Sequence, residues 1–268
     1  MLALVAGTGE LPAALVARLT EAGEDVLICQ PEGVAPELPA SMPRLTFRLE
    51  TLGSLIAALQ NRGVGRVCMA GAVRRPVIDP ALIDPATAPL LPRLTAALGQ
   101  GDDGALRALI GIFEEAGLQV VAAHQIAPDL LPQTGIHTRA TPDDAARAGA
   151  ALGEATVAEM GRADLGQACV IGADRVIARE DEAGTDAMLA TLGAVPPGAV
   201  LFKAPKPGQD RRADLPVIGP ETARAAARAG LAGIVIEAGG VMVMNLAEVI
   251  EILNAAGLFL WVRPKGAT

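Results

Sequence analysis

Leu2-Ala3-Leu4-Val5-Ala6-Gly7-Thr8-Gly9-Glu10-Leu11-Pro12 opens the chain, and its reading sets the fold. Five apolar residues make a run of strand length, two glycines make a turn, and a helical pattern follows through Leu19. Pro12 suits the first turn of that helix, where its missing donor is not needed. Strand, glycine turn and helix are the opening of a parallel α/β sheet, and the helix N-terminus offers N–H groups to an anion. The dinucleotide fingerprint G-x-G-x-x-G would need a third glycine where Pro12 stands. Gly7, Thr8 and Gly9 are therefore read as approaching a nucleotide's phosphate or sugar, not NAD; the competing reading is a tight turn with no ligand.

The same alternation continues. Apolar runs at 25–30, 66–70 and 118–123 read as strands, and helical patterns occupy 52–60 and the stretch after Gly104 up to Glu115. The third strand ends in Gly71-Ala72-Val73-Arg74-Arg75-Pro76, a second glycine turn at a strand's carboxyl end. Ligands of open parallel sheets sit outside those ends, so Arg74 and Arg75 are candidates for a phosphate or a lipid headgroup. Near 131–139 the pattern changes, dividing the chain into domains at 1–131 and 132–268. Thr141 as N-cap, Pro142 and two acids open a helix to about Met160. Runs at 167–171 and 175–178 form a hairpin. Gly184-Thr185-Asp186 is a glycine turn capped by Thr or Asp into a further helix, either as a phosphate cradle or as an ordinary helix start. Strands at 199–202, 233–237, 241–244 and 258–262 and helices at 221–229 and 246–256 complete an α/β second domain.

Composition excludes several classes. Of 268 residues, 51% are hydrophobic and 19% charged, which describes a packed globule and not a disordered chain. Aromatics are 2% with no tyrosine, too few for a stacking reader of single-stranded nucleic acid, and the net charge of −8 argues against nucleic acid altogether. Cys29, Cys68 and Cys169 stand in separate apolar runs, as buried thiols of a reducing compartment do. His124 and His137 are the only histidines and neither has a partner at ligand spacing, which disfavours a zinc site or a histidine triad. No apolar run reaches the ~18 residues of a spanning helix, so a cytoplasmic protein is expected.

The chemistry is expected in residues 196–222, where six prolines and mixed charge break any regular helix. Lys203, Lys206, Gln209, Asp210, Arg211, Arg212 and Asp214 crowd this segment. Asp210 and Asp214 would lie roughly 13 Å apart in a strand but about 6 Å apart in a helical turn, and only the turn makes them a pair for one cation. The lysines and arginines are of the type that holds phosphate oxygens. The alternative is a solvated linker whose charges pair with one another.

These motifs, above all Lys203-Ala204-Pro205-Lys206-Pro207-Gly208-Gln209-Asp210-Arg211-Arg212-Ala213-Asp214-Leu215-Pro216-Val217-Ile218-Gly219-Pro220, resemble the UDP-2,3-diacylglucosamine pyrophosphatases of the LpxI type. The resemblance runs along essentially the whole chain and implies a magnesium-dependent hydrolase of lipid A biosynthesis that yields UMP and 2,3-diacylglucosamine 1-phosphate. It implies a Rossmann-like nucleotide-binding domain, a distinct C-terminal α/β domain that binds the acylated sugar phosphate and carries the catalytic loop, and substrate held between them. Asp210 and Asp214 are the implied catalytic and Mg²⁺-binding residues, with no choice made between them. Gly7, Thr8, Gly9, Arg74, Arg75, Gly184, Thr185, Asp186, Lys203, Lys206, Gln209 and Arg211 are the implied substrate contacts. The implied partner is UDP-2,3-diacylglucosamine at the cytoplasmic face of the inner membrane, with peripheral membrane contact and a homo-oligomer both left open. The apolar runs at 234–236, 241–244 and 258–262, with Met242 and Met244, are candidates to meet its acyl chains. The competing function classes are a non-enzymatic nucleotide-sugar or lipid-binding protein and a nucleotide-dependent oxidoreductase, against which the absent third glycine and redox motif count.

Overall fold

The computed structural model describes residues 1–73, 77–99, 101–172 and 174–266. The chain forms two compact units, Met1–Pro128 with Asp210–Asp214, and Asp129–Gln209 with Leu215–Thr268. The division falls between Pro128 and Asp129. The loop expected to belong wholly to the second domain is itself divided, because its tip groups with the first unit.

The first unit runs β1 (Leu2–Ala6), α1 (Leu11–Glu21), β2 (Val26–Pro31), β3 (Arg44–Phe47), α2 (Leu52–Asn61), β4 (Arg66–Ala70), α3 (Leu91–Leu98), α4 (Gly101–Glu115), β5 (Gln119–Val120) and α5 (Ala123–Ile126). Its five strands lie in the order β3-β2-β1-β4-β5, every pairing parallel. Parallel sheets are covered on both faces, which is why β1, β2 and β4 read as largely apolar runs and most of their side chains are buried. Strand β3 was not expected: it is an edge strand with exposed Arg44 and Thr46 in a proline-rich stretch, so it lacks that signature. The fourth expected strand shrinks to two residues, and α4 starts at Gly101, before the glycine at 104 expected to precede it.

The second unit runs β6 (Gly135–Ile136), α6 (Asp144–Arg162), β7 (Ala168–Ile171), β8 (Val176–Arg179), α7 (Thr185–Ala190), β9 (Val200–Lys203), β10 (Val217–Ile218), α8 (Pro220–Arg228), β11 (Gly233–Glu237), β12 (Met242–Val243), α9 (Leu246–Ala256) and β13 (Phe259–Arg263). Its mixed sheet has the order β6-β13-β11-β9-β7-β8, with β13, β11 and β9 parallel at the centre. Strands β6 and β7 join antiparallel, β8 closes the expected hairpin on β7, and β10 and β12 pair separately in parallel. The cap of α6 is Asp143, whose Oδ1 accepts the Ala146 N–H at 2.8 Å. Thr141, expected in that role, stands before it, since the helix begins only at Asp144.

With so few aromatics, close packing depends on small residues. A Cβ on Gly153 of α6 would lie 2.5 Å from the Phe202 ring, so glycine is what lets the helix rest on β9. The runs suggested for acyl chains are core strands: residues 234–236, 241–244 and 258–262 are all buried. Residues 234–236 and 258–262 take their continuous hydrophobicity from the central parallel strands β11 and β13, and 241–244 span β12 of the separate parallel pair. Among the described residues no helix is long and apolar enough to cross a membrane.

Burial pushes the thiols of Cys29, Cys68 and Cys169 up to about 12. A thiolate is the reactive form, so none of the three should be modified by a thiol reagent at pH 8 in the native protein, and all three should react in denaturant. Rapid native labelling, counted by mass, would show that one of these strands opens.

Candidate active site

Strands β1 and β4 adjoin where the strand order of the first sheet reverses, the place where ligands of such sheets bind. Each ends in one of the glycine turns, and the turns grip each other. Gly7 N–H donates to the Ala70 carbonyl at 2.8 Å, Thr8 N–H to Ala72 at 2.9 Å, and Ala72 N–H back to Thr8 at 2.9 Å. A Cβ on Gly7 would stand 2.5 Å from the Ala72 carbonyl oxygen, and one on Gly71 2.6 Å from that of Thr8. The amides of Gly7 and Thr8 are thus used within the protein. What remains for an anion is the first turn of α1, whose N–H groups have no partner in the helical ladder, beside exposed Thr8 and Gly9. Arg74 and Arg75 lie outside the described residues.

The 210–214 segment is a turn and not a strand: the N–H groups of Ala213 and Asp214 point to the Asp210 carbonyl at 3.2 and 3.4 Å. Asp210 and Asp214 therefore share one side of one turn. Both oxygens of Asp210 are engaged. Oδ1 accepts the backbone N–H and Nε of Arg212, each at 3.0 Å, and Oδ2 accepts Nη2 at 2.7 Å. The remaining Arg212 nitrogen, Nη1, donates to Glu114 of α4 at 2.6 Å, while Asp103 of the same helix accepts the Asp210 N–H at 3.4 Å and pairs with Arg107. Ala213 packs on the first unit's core. The Arg212 hydrogen bonds hold the Asp210 carboxyl below the usual carboxylate range against the opposing effect of burial. His124 at the start of α5 has its pKa lowered, first by burial and then by the charge of Arg211, so it stands as a neutral imidazole at neutral pH.

In the second unit, Gly184 caps α7 at φ +89° without help from a side chain, so the Thr or Asp cap expected there does not form. The Asp186 carboxylate instead accepts the Thr222 hydroxyl at 2.9 Å. The Thr185 hydroxyl donates to Glu180 at 2.5 Å and accepts from the Lys203 ammonium at 2.6 Å. Lys206 reaches Asp164 at 2.8 Å, and its N–H donates to the Gln209 side chain at 2.9 Å. Asp164 holds a left-handed φ of +53°, a conformation Asp tolerates better than most residues. Lys206 and Gln209 thus shape the start of the loop.

Models of two domains cover this chain almost end to end, the LpxI N-terminal domain over residues 1–130 and the LpxI C-terminal domain over residues 133–261. The chain belongs to the LpxI family. A relative from Caulobacter vibrioides, UDP-2,3-diacylglucosamine pyrophosphatase LpxI, is 34% identical over 268 residues, covering 97% of this chain and 96% of that protein.

Sequence reasoning passed over several residues that the LpxI fold places at these sites. Asp103, read as preceding its helix, and Glu114, near that helix's end, were given no role, yet they hold the Asp210 turn. Glu180 sits in the charge run Arg179-Glu180-Asp181-Glu182, which reads as solvated, yet it is buried. Its one sequence signal is position: it follows a strand and precedes a glycine turn.

Among the described residues no group of three or more His, Cys, Asp and Glu side chains is placed to hold a metal ion. Magnesium does not need such a cage, since it is usually held by one or two carboxylates, waters and substrate phosphates. The ionised Asp210 with Asp214 on one turn fits that kind of site, and an ion held there would take the place of Arg212 at the Asp210 oxygens.

Proposed function

We propose that this LpxI chain hydrolyses the diphosphate of UDP-2,3-diacylglucosamine to UMP and 2,3-diacylglucosamine 1-phosphate, a step of lipid A biosynthesis, with Mg²⁺ as cofactor. The observation that carries the proposal is the match of both LpxI domain models together with a relative of that printed activity aligned over 97% of the chain. The chemistry of the 203–214 segment supports it. Water must form a bond to one phosphorus while the bridging oxygen leaves with the other, and negative charge grows on the leaving phosphate. The residues needed are a carboxylate to orient water and fixed cations for the nonbridging oxygens.

Asp210 and Asp214 are assigned to the ion and the attacking water. Asp210 is suited to this because it is ionised and held in one orientation. Bound there, Mg²⁺ would neutralise charge on the diphosphate. Lys203, Lys206 and Arg211 take the diphosphate oxygens. For Lys206 this means leaving Asp164, a partly exposed partner that holds it weakly. The Gly7-Thr8-Gly9 turn meets the nucleotide, joined in this role by Arg74 and Arg75, which follow the Gly71 turn in sequence, and Gly184-Thr185-Asp186 with Gln209 meets the sugar phosphate.

Chelation is the first test. EDTA should abolish hydrolysis and Mg²⁺ should restore it; full turnover in chelator would remove the ion from the mechanism. UDP-N-acetylglucosamine, which lacks the acyl chains, is the second. Each buried methylene contributes about 0.8 kcal/mol, so even a partly enclosed chain should raise kcat/KM by several orders of magnitude. Equal kcat/KM for the two compounds would exclude an acyl-binding surface.

A further inference from the structure

The carboxyl ends of the three central parallel strands in the second sheet carry a row of buried charge. Strand β9 ends in Lys203, β11 in Glu237 and β13 in Arg263, with Ile236 in register with Lys203 and Glu237 with Arg263. Their exposures are 7%, 7% and 4%. Arg263 is tied to Glu154 of α6 at 2.6 Å. Lys203 is tied to a carboxylate through a hydroxyl: Nζ donates to Thr185 Oγ1 at 2.6 Å, and Thr185 Oγ1 donates to Glu180 Oε1 at 2.5 Å. The direct Nζ to Oε1 distance is 4.0 Å, so the hydroxyl bridges the two charges. The second Glu180 oxygen accepts the Gln167 N–H at 2.5 Å. Space for Glu180 is left by Gly166, where a Cβ would stand 2.6 Å from the Glu180 Cβ.

Removing an ammonium and a carboxylate from water costs several kcal/mol each, and well-packed apolar residues often serve stability as well or better. A buried pair of this kind therefore points to a use for the charge. A lysine head on a four-carbon stem has little orientation of its own. Here the hydroxyl, committed in direction by donating to Glu180, fixes where the ammonium lies.

We infer that Glu180 is a positioning residue: acting through Thr185, it fixes the Lys203 ammonium at the carboxyl end of β9. This rests on the proposed role of Lys203 on the diphosphate. The Glu180 carboxylate and the Thr185 hydroxyl, committed to each other and to Lys203, do not touch substrate; they set the point at which a phosphate oxygen finds its cation. Displacing such a group by about 1 Å can cost about a hundredfold in rate.

The test uses full-length protein with Thr185→Val, which keeps the shape and removes the hydroxyl, Thr185→Ser, which restores it, Glu180→Gln and Lys203→Met. With UDP-2,3-diacylglucosamine and Mg²⁺, Val and Gln should each lower kcat/KM by about a hundredfold, Lys203→Met by at least as much, and Ser should stay near wild type. A second readout is independent of turnover. The chain has three lysines, Lys203, Lys206 and Lys265, so a proton–nitrogen spectrum of ¹⁵N-lysine-labelled protein is simple to assign. A slowly exchanging Lys203 ammonium signal, absent in Lys203→Met, should vanish in Val and Gln and persist in Ser. Wild-type kcat/KM in Val and Gln with an inactive Lys203→Met would overturn the positioning role alone. Wild-type kcat/KM in Lys203→Met would instead overturn the proposed role of Lys203. A protected signal that survives in Val, or a Ser variant as impaired as Val, also overturns the inference, whatever the substrate.

Discussion

Asp210→Asn lowers kcat by about a thousandfold or more, about 4 kcal/mol of transition-state stabilisation, while KM stays near the wild-type value. The substitution keeps the shape of the side chain and an oxygen that can accept from Arg212. It removes the charge that would hold a cation or orient water. Stability should change little, because Arg212 is partly exposed and keeps Glu114 as a partner. Asp214→Asn is the companion measurement, since both carboxylates stand on one turn and neither is singled out by its position. The variant with the larger fall in kcat identifies the essential group. If both retain wild-type kcat, the 210–214 turn is structural and the proposed assignment fails.

Gly7→Ala should cost about 4 kcal/mol or prevent folding of the first unit, a loss at the severe end for one substitution. The reason is contact and not backbone conformation, since Gly7 is absent from the left-handed positions. A methyl there would meet the Ala72 oxygen, the Gly71 carbon and the Gly71 oxygen at 2.5, 2.6 and 2.7 Å. All three are backbone atoms with no rotamer to give, so β1 and β4 would have to part. Gly9→Ala is the control. Nothing lies within 4 Å of its would-be Cβ, but its φ is +97°, which predicts a smaller loss of about 1–3 kcal/mol. Urea unfolding measures both. A Gly7→Ala midpoint equal to that of the wild type would mean the two turns are not packed as described.

The same turn shows how far sequence reading reaches. Its strand, glycines and helix were legible because parallel strands are apolar throughout and because glycine and proline mark turns and helix starts by their local conformations. The grip between Gly7 and Gly71 was not legible. It joins residues 64 apart, and no local preference records that distant backbones come within touching distance. The turn at Asp210 was foreseen as one of two geometries, and the hydrogen bonds to the Asp210 carbonyl settle which applies. That Arg212 occupies both Asp210 oxygens, and that α4 supplies Asp103 and Glu114, depends on tertiary placement. Glu180 was hidden for a related reason: a carboxylate in a charge run looks solvated unless a lysine and a hydroxyl from other elements converge on it. Short edge strands such as β3, β6 and β10 were lost because two to four residues carry too little periodicity to be read.

The central claim is tested most directly by incubating the purified chain with UDP-2,3-diacylglucosamine and Mg²⁺ and following products by mass. The proposed function predicts many equivalents of UMP and of 2,3-diacylglucosamine 1-phosphate per chain, formed one to one and lost in Asp210→Asn or Asp214→Asn. Stoichiometric capture of intact substrate with no UMP released would contradict it and make the chain a binding protein.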